Sequence, residues 1–246
     1  MDVAARERAF VRVAGPDACD YLQRMVSNDV EALAAGEAVP ALLLTAKARV
    51  IAPLVVLRQG DEDFLVLTEP ELGEPVRAHL TRMRLRARAE IEQEGHRALL
   101  VFGDAPNGFA TDFPGARELL DAALEPTIDD EELERRRIEA GVPRWGRELD
   151  DRVLPAEAGL ESTHISFSKG CYPGQEPVAR LHYRGKANRG LRVLELPDVP
   201  AYDAELVLEG KVVGRVTSAV RRPDGSVVAL AFVRAEVPDD APLAFA

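Results

Sequence analysis

Cysteine is almost absent from this chain of 246 residues, which contains only Cys19 and Cys171. A disulfide framework is not expected at this length and composition, and the expected compartment is a reducing cytoplasm. No CxxC motif occurs, and a resident iron–sulfur cluster needs about four ligands. The sequence therefore predicts no permanently bound metal and no cluster held by this chain alone.

Long apolar runs are also missing. No run reaches the roughly 18–20 residues that a membrane span requires, and the charged N-terminus MDVAARERAF has no apolar core of a signal peptide. The net charge of −11 argues against tight, non-specific nucleic-acid binding over the whole surface. The expected partners therefore include neither a membrane nor nucleic acid in direct contact.

Three helices are predicted before residue 142 from capping residues and apolar spacing. The first begins at Gly15-Pro16-Asp17, and the apolar residues between positions 18 and 26 fall on one helical face. The second spans residues 71–83. The third follows Asp129-Asp130 and ends at Gly141, with acids in its first turn and arginines in its later turns, as the helix dipole favours.

Strands are predicted where β-branched and apolar residues cluster between turn residues. In the first half these segments are residues 9–13, 41–45, 50–57, 63–67, 89–93 and 97–102; in the second half they are 191–196, 205–208, 211–217 and 227–233. Residues 103–115 are predicted to form a loop. The order indicates an α+β module over residues 45–115 and an antiparallel, barrel-like β module over residues 189–246.

The densest chemistry lies in residues 165–191, ISFSKGCYPGQEPVARLHYRGKANRGL. Tyr172-Pro173-Gly174-Gln175 fits a type II turn, and a helix is predicted from Glu176 to His182. A thiol close to Lys169 and near a helix start is expected to have a lowered pKa. The residues leave two interpretations of Cys171 open, a reactive thiol or a packing residue.

Two further features of the sequence are ambiguous in the same way. The basic run from Arg180 to Arg189 is either a solvated face or a site for carboxylates or phosphates. Glu139 stands near a helix C-terminus, where a carboxylate is electrostatically disfavoured. It is therefore either an exposed glutamate or an acceptor for a ligand's N–H groups.

KGCYPGQEPVAR, followed by RG and a further arginine, resembles the signature of the YgfZ family of folate-binding proteins, which are related to the glycine cleavage T-protein. LQRMVSNDV, RRIEAGVPRWGRELD and GKVVGRVTSAV resemble other segments of the family. The resemblance implies an α+β fold with three modules in a ring. These would be a discontinuous folate-binding module (residues 1–44 and 116–188), an inserted ferredoxin-like α+β module (45–115) and a C-terminal antiparallel β-barrel (189–246).

The resemblance also implies roles for individual residues. Cys171 would be the reactive centre, assisted by Lys169. The expected ligand is tetrahydrofolate, with Glu139 holding the pterin. The residues expected to bind the cofactor are Glu139, Trp145, Gln175, Glu176, Arg180 and Arg184.

The chain departs from the T-protein pattern at Ala52 and Pro53, which stand where T-proteins carry two aspartates. A lost general acid/base group removes roughly 100- to 10,000-fold in rate, so aminomethyl transfer is not expected. Ala48 replaces a glycine of the family, and a left-handed backbone there would be strained; the local loop is expected to differ.

The sequence thus predicts a tetrahydrofolate-binding protein that supports iron–sulfur cluster assembly or repair. Its expected partners are folate and iron–sulfur proteins or assembly factors, and the family suggests a link to tRNA modification. Cys171 would be a nucleophile, a redox group or a transient cluster ligand. The alternatives are a folate-dependent aminomethyltransferase and a folate-sensing regulatory module.

Overall fold

The computed structural model describes residues 1–245. Its strands are β1 (Asp2–Arg6), β2 (Ala9–Ala14), β3 (Ala38–Leu44), β4 (Val50–Gly60), β5 (Asp63–Thr68), β6 (Glu90–Glu94), β7 (Ala98–Phe102), β8 (Phe109–Ala110), β9 (Ala116–Leu120), β10 (Arg189–Leu196), β11 (Glu205–Leu208), β12 (Lys211–Arg221), β13 (Val227–Arg234) and β14 (Ala244–Phe245). Its helices are α1 (Ala18–Met25), α2 (Gly73–Met83), α3 (Asp130–Glu139), α4 (Glu161–His164) and α5 (Gln175–Arg184), and a 3₁₀ turn over Pro70–Leu72 precedes α2.

The central sheet has the strand order β3-β4-β5-β2-β6 and is antiparallel throughout. Helices α1 and α2 cover one face, where Leu22 and Leu80 pack with Leu54 of β4. The apolar stripe predicted for α1 is buried as expected. The opposite face packs on a second sheet through contacts such as Leu67 with Phe109.

The second, N-terminal sheet has the order β1-β7-β9-β8. Strand β1 was not predicted, and short strand β8 lies inside the segment predicted as a loop. Adjacent strands β6 and β7 separate, because β6 pairs with β2 while β7 pairs with β1. Residue 45 lies between the paired strands β3 and β4; the division into domains at residues 45, 116 and 189 stays a prediction.

The C-terminal sheet has the order β10-β13-β12-β11-β14, with a register shift in β12 between Val216 and Ser218. Across residues 1–245 the pairings leave β10 and β14 at the two edges. The predicted antiparallel β module is confirmed, whereas the closed barrel and the three-module ring are not.

A buried polar network fastens α3 to the C-terminal sheet. Arg137 donates to Glu134 (2.8 Å), to Glu148 (3.1 Å) and to Ser218 of β12 (2.8 Å). Ser218 in turn donates to Glu148 at 2.7 Å. Beside the network, Ile138 packs against Val228 and Leu230 of β13. These contacts fix the segment after α3, which carries Trp145.

Candidate functional site

The predicted type II turn at the start of α5 is confirmed. The backbone N–H of Gln175 donates to the carbonyl of Tyr172 at 3.2 Å, and Gly174 has a φ of 86°. A Cβ atom at Gly174 would stand 2.6 Å from the carbonyl oxygen of Thr45. Glycine is therefore required here by backbone conformation and by the close approach of the loop between β3 and β4.

Cys171 is exposed immediately before this turn. Its neighbour Tyr172 is buried, and burial together with the charge of Glu161 raises the pKa of the Tyr172 phenol to about 12. The phenol oxygen of Tyr172 has no hydrogen-bond partner among the described residues. The buried tyrosine therefore holds the turn in place while the thiol stays open to solvent.

Lys169 is buried, with 8% of its surface exposed. Its ammonium group donates to three backbone carbonyls at the end of α1, those of Gln23 (2.6 Å), Val26 (2.8 Å) and Asn28 (2.7 Å). An ammonium group has three donors, so all are engaged. Burial lowers the pKa of Lys169 to about 8. Lys169 thus anchors the cysteine loop to α1; its catalytic role stays a prediction.

Aromatic rings flank the exposed thiol loop. Phe167 stacks on His182 of α5 with ring centroids 4.0 Å apart, and Tyr183 meets both rings edge-on. The stacking holds the segment before Cys171 against the second half of α5.

A large cavity opens beside Trp145. This Trp145 cavity has a volume of about 680 Å³ and lies between α3, the start of the chain and the turn before α2. Its wall combines aromatic and apolar groups with charges of both signs, including Glu69, Phe113, Glu134, Arg144, Trp145 and Arg147. Its volume falls within the range of small-molecule sites.

The two half-buried carboxylates of this wall differ in their partners. Glu134 accepts hydrogen bonds from Arg137 at 2.8 Å and from Arg144 at 3.3 Å. Glu69 makes no side-chain hydrogen bond or salt bridge within residues 1–245, and burial raises its pKa, opposed by the charges of Arg8 and Arg6. Glu69 is therefore free to accept from a ligand.

Glu139 does not line the Trp145 cavity. One of its oxygens accepts from Arg135 at 2.7 Å and the other from Arg222 at 2.7 Å. Glu139 is therefore not part of the cavity wall that contains Trp145. Glu69 was not among the predicted site residues. It stands between the end of β5 and Pro70, which begins the 3₁₀ turn, and this position could have marked it as a candidate.

The other residues predicted to bind the ligand lie on α5. Gln175 and Glu176 occupy its first turn, outside the Trp145 cavity. Arg180 and Arg184 line a different cavity. The predicted set is thus distributed over at least two places, and its roles stay predictions.

More than half of the chain matches a known protein family. The family model described as GCVT N-terminal domain matches residues 5–134. The chain belongs to this family. The crystal structure of the glycine cleavage system aminomethyltransferase T from Bartonella henselae matches with a TM-score of 0.75, over 95% of this chain and 78% of that one. At 17% identity, this likeness establishes the shared fold.

Curated relatives cover most of the chain. The tRNA-modifying protein YgfZ of Serratia proteamaculans is 29% identical, with 92% of this chain and 82% of that protein covered. Its counterpart in Escherichia coli O157:H7 is 28% identical over 89% of this chain and 81% of that protein. An uncharacterized protein of Haemophilus influenzae is 26% identical over 89% of this chain and 84% of that protein. The resemblance seen in the motifs is confirmed.

Within this family, β4 carries the departure from T-proteins. Ala52 and Pro53 are buried opposite Leu43 and Leu42 of β3. The carbonyl of Pro53 accepts from the hydroxyl of Thr68 at 2.8 Å. Neither side chain can transfer a proton. Ala48 adopts a left-handed backbone with a φ of 60°, a conformation that is strained for alanine.

Within residues 1–245, no helix has both the length and the apolar character that crossing a membrane requires. The same part of the chain contains no group of three or more His, Cys, Asp or Glu side chains arranged to hold a metal ion.

Proposed function

We propose that this protein binds tetrahydrofolate in the Trp145 cavity and supports the assembly or repair of iron–sulfur clusters, with Cys171 as its reactive thiol. The observation that carries the proposal is the cavity itself. An aromatic wall, a free carboxylate and arginines meet in one space of about 680 Å³, in a chain of the GCVT N-terminal domain family.

The residues present fit a folate. The ring of Trp145 offers a face for the flat pterin, and Phe113 adds apolar surface. Glu69 has free lone pairs for the adjacent N–H donors of a pterin, in a bidentate pattern suited to a carboxylate. Arg144 and Arg147 suit the carboxylates of the glutamate tail. We therefore assign pterin recognition to Glu69, because Glu139 is already neutralised by two arginines.

Cys171 supplies the chemistry that a binding pocket alone lacks. It is exposed, whereas burial raises the pKa of the Cys19 thiol and makes Cys19 a poor nucleophile. One accessible thiol cannot hold a cluster that needs about four ligands. Any cluster contact is therefore transient or shared with an iron–sulfur protein, in the cytoplasm. Relatives named tRNA-modifying protein fit this role, since tRNA thiolation and methylthiolation enzymes rely on clusters.

Methylene transfer is not part of the proposal. Ala52 and Pro53 provide no carboxylate where the T-proteins have theirs. The folate would therefore act as a bound ligand that stabilises one conformation of the protein.

Binding can be followed through Trp145, the only tryptophan. Tetrahydrofolate is expected to change its fluorescence in a saturable way, with calorimetry giving the affinity. A charge-assisted hydrogen bond contributes roughly 1.5–3 kcal/mol, so Glu69→Gln is expected to weaken binding about tenfold or more. Glu139→Gln serves as the matched control and is expected to keep wild-type affinity.

Absence of both a fluorescence change and a heat of binding would remove folate from the proposal. Weakening by Glu139→Gln alone would return pterin recognition to Glu139.

The thiol is tested separately in cells that lack the protein, by the activity of an iron–sulfur enzyme. Cys171→Ala is expected to fail to restore that activity, and Cys19→Ala to restore it. Full restoration of the activity by Cys171→Ala would favour the alternative function, a folate-sensing module without thiol chemistry.

A further inference from the structure

A second cavity lies between the β3–β4 loop and α5. This basic cavity has a volume of about 460 Å³ and shares no lining residue with the Trp145 cavity. Its walls are the β3–β4 loop, the segment around Pro155, and α5. Four cationic side chains surround it: Lys47, Arg49, Arg180 and Arg184.

The charge of this cavity contrasts with the rest of the molecule. Four cations and a single acid, Glu161, line it in a chain of net charge −11. Within residues 1–245 none of the four cations forms a salt bridge, and Glu161 lies 3.7 Å from His182. Most other arginines of the protein are paired with acids, for example Arg12 and Arg222. Unneutralised cations gathered around one cavity create a positive potential that attracts anions.

The cations are held on rigid supports. In the β3–β4 loop, the N–H of Thr45 donates to the carbonyl of Arg49 at 2.9 Å, and the N–H of Arg49 donates to the Thr45 hydroxyl at 3.0 Å. Gly174 packs against the same loop. Arg180 and Arg184 stand four residues apart, and therefore on one face of α5. The backbone that carries these cations is therefore fixed before a ligand binds, and only the side chains have to be ordered.

Part of the group of four cations could be explained without a ligand, by exposed cations placed at the end of a helix. Cations near a helix C-terminus are stabilised by the dipole, which accounts for Arg184 in the last turn of α5. It does not account for Lys47 and Arg49, which lie in a loop facing that helix. Convergence from two separate elements points to a shared ligand.

The cavity also has an apolar component. Val178 is buried, and Leu154 and Leu181 are half-buried along its wall. A purely inorganic anion would leave this surface in contact with water. The lining instead suits a small molecule in which a short apolar body carries the negative charge.

We propose that the basic cavity binds a small organic dianion, whose phosphate or paired carboxylates contact Arg180 and Arg184 and whose apolar body packs against Val178 and Leu181. The site is independent of folate binding, since the two cavities have separate walls.

The test uses the full-length protein and two aromatic dianions, phenyl phosphate and phthalate, with benzyl alcohol as the uncharged control. Calorimetry is expected to show saturable binding of at least one dianion and none of benzyl alcohol. Each lost charge-assisted hydrogen bond weakens binding roughly tenfold. The double variant Arg180→Gln, Arg184→Gln is therefore expected to lose about a hundredfold in affinity, whereas Arg82→Gln, Arg86→Gln, which removes two exposed charges elsewhere, keeps it.

A third variant tests whether binding needs the space of the cavity as well as its charges. Ala156→Phe fills part of the space and leaves all four cations in place, so binding is expected to be lost while circular dichroism stays unchanged. Trp145→Phe is expected to retain binding of the dianion, which keeps this result distinct from that with folate.

Binding of phenyl phosphate alone would identify a phosphate site, and binding of phthalate alone a carboxylate site. Failure of both dianions to bind overturns the proposal. So does equal weakening by the two double-arginine variants, or unchanged binding in Ala156→Phe.

Discussion

Gly174 illustrates how far one residue can be understood from the sequence. The Pro173-Gly174 pair predicts both the type II turn and the positive φ at Gly174, and both are found. The second reason for glycine is the carbonyl of Thr45, which would stand 2.6 Å from a Cβ atom at this position and belongs to a loop far away in the chain. No local pattern reports such an approach.

The substitution Gly174→Ala is expected to destabilise the protein by about 3 kcal/mol, because a left-handed alanine costs about 1–2 kcal/mol and the contact with Thr45 adds to it. The matched control is Gly210→Ala. Gly210 has a φ of 78° with nothing within 4 Å of an added Cβ, so only the backbone cost of about 1 kcal/mol is expected. Urea denaturation measures both. An equal loss of stability in the two variants would mean that the β3–β4 loop moves away from the added Cβ atom without cost.

Charged side chains at the site were harder to predict than the turn. The sequence places Glu139 correctly at the end of α3, but its partner Arg222 is 83 residues away. Lys169 is close to Cys171 in sequence, yet its ammonium group turns to the carbonyls of α1. The destination of a long charged side chain depends on which distant groups fold beside it, and single-sequence patterns carry little of that information.

Helix α3 is the element that sequence rules predicted best. The sequence predicts a cap at Asp129-Asp130; in the structure Asp129 is the capping residue, and its carboxylate accepts from the N–H of Glu132 at 2.9 Å. Gly141, with a φ of 71°, stands just past its end. Capping is local chemistry, so it is visible in a few consecutive residues. Strand partners are not local, and for that reason the separation of β6 from β7 was missed.

Removal of the cap by Asp129→Ala is expected to cost about 1 kcal/mol, measured by chemical denaturation. Asp130→Ala is the control. Asp130 lies in the first turn and its side chain makes no hydrogen bond in the described residues, so only the helix-dipole contribution of a few tenths of a kcal/mol should be lost. A cost for Asp130→Ala as large as that for Asp129→Ala would assign the effect to charge alone.

At the scale of the whole molecule, a buried cluster of charges links the segment that joins β1 to β2 with strand β9 of the N-terminal sheet. Arg8 contacts Asp112 at 2.9 Å and Glu118 of β9 at 3.1 Å, and all three side chains are almost fully buried. Burial opposes ionisation, but Arg6 and Arg8 hold the pKa of Asp112 well below its usual range. His164 of α4 is buried near this cluster, and burial lowers its pKa to about 4, opposed by the charge of Asp112.

Stability is therefore expected to depend on pH through His164. Its folded pKa of about 4 lies below the unfolded value of 6.5, so the unfolded state binds the proton more readily between them. Stability should fall as pH is lowered from 6.5 towards 4, by up to about 3 kcal/mol. His164→Gln is expected to flatten this fall in denaturation curves recorded across that range.

His96 offers a control of opposite sign. Although burial opposes it, hydrogen bonds to Asp121 and Glu94 raise the pKa of His96. Its stabilisation is complete below pH 6.5 and is lost as pH rises through the folded value. The deficit of His96→Gln relative to wild type should therefore grow as pH falls. For His164, the contradicting result would be a pH profile of His164→Gln that runs parallel to that of wild type. It would show that protonation of His164 does not lower the free energy of unfolding.

The anchoring of Lys169 sets a limit on the reach of the thiol. Lys169 is fixed to α1 two residues before Cys171, and Tyr172 is buried one residue after it. With consecutive Cα atoms about 3.8 Å apart, so short a span between two fixed points has almost no slack. Cys171 cannot carry sulfur or iron across the surface as a swinging arm. In the role proposed for Cys171, a donor or acceptor would have to dock at the loop and bring its own reactive atom to the thiol.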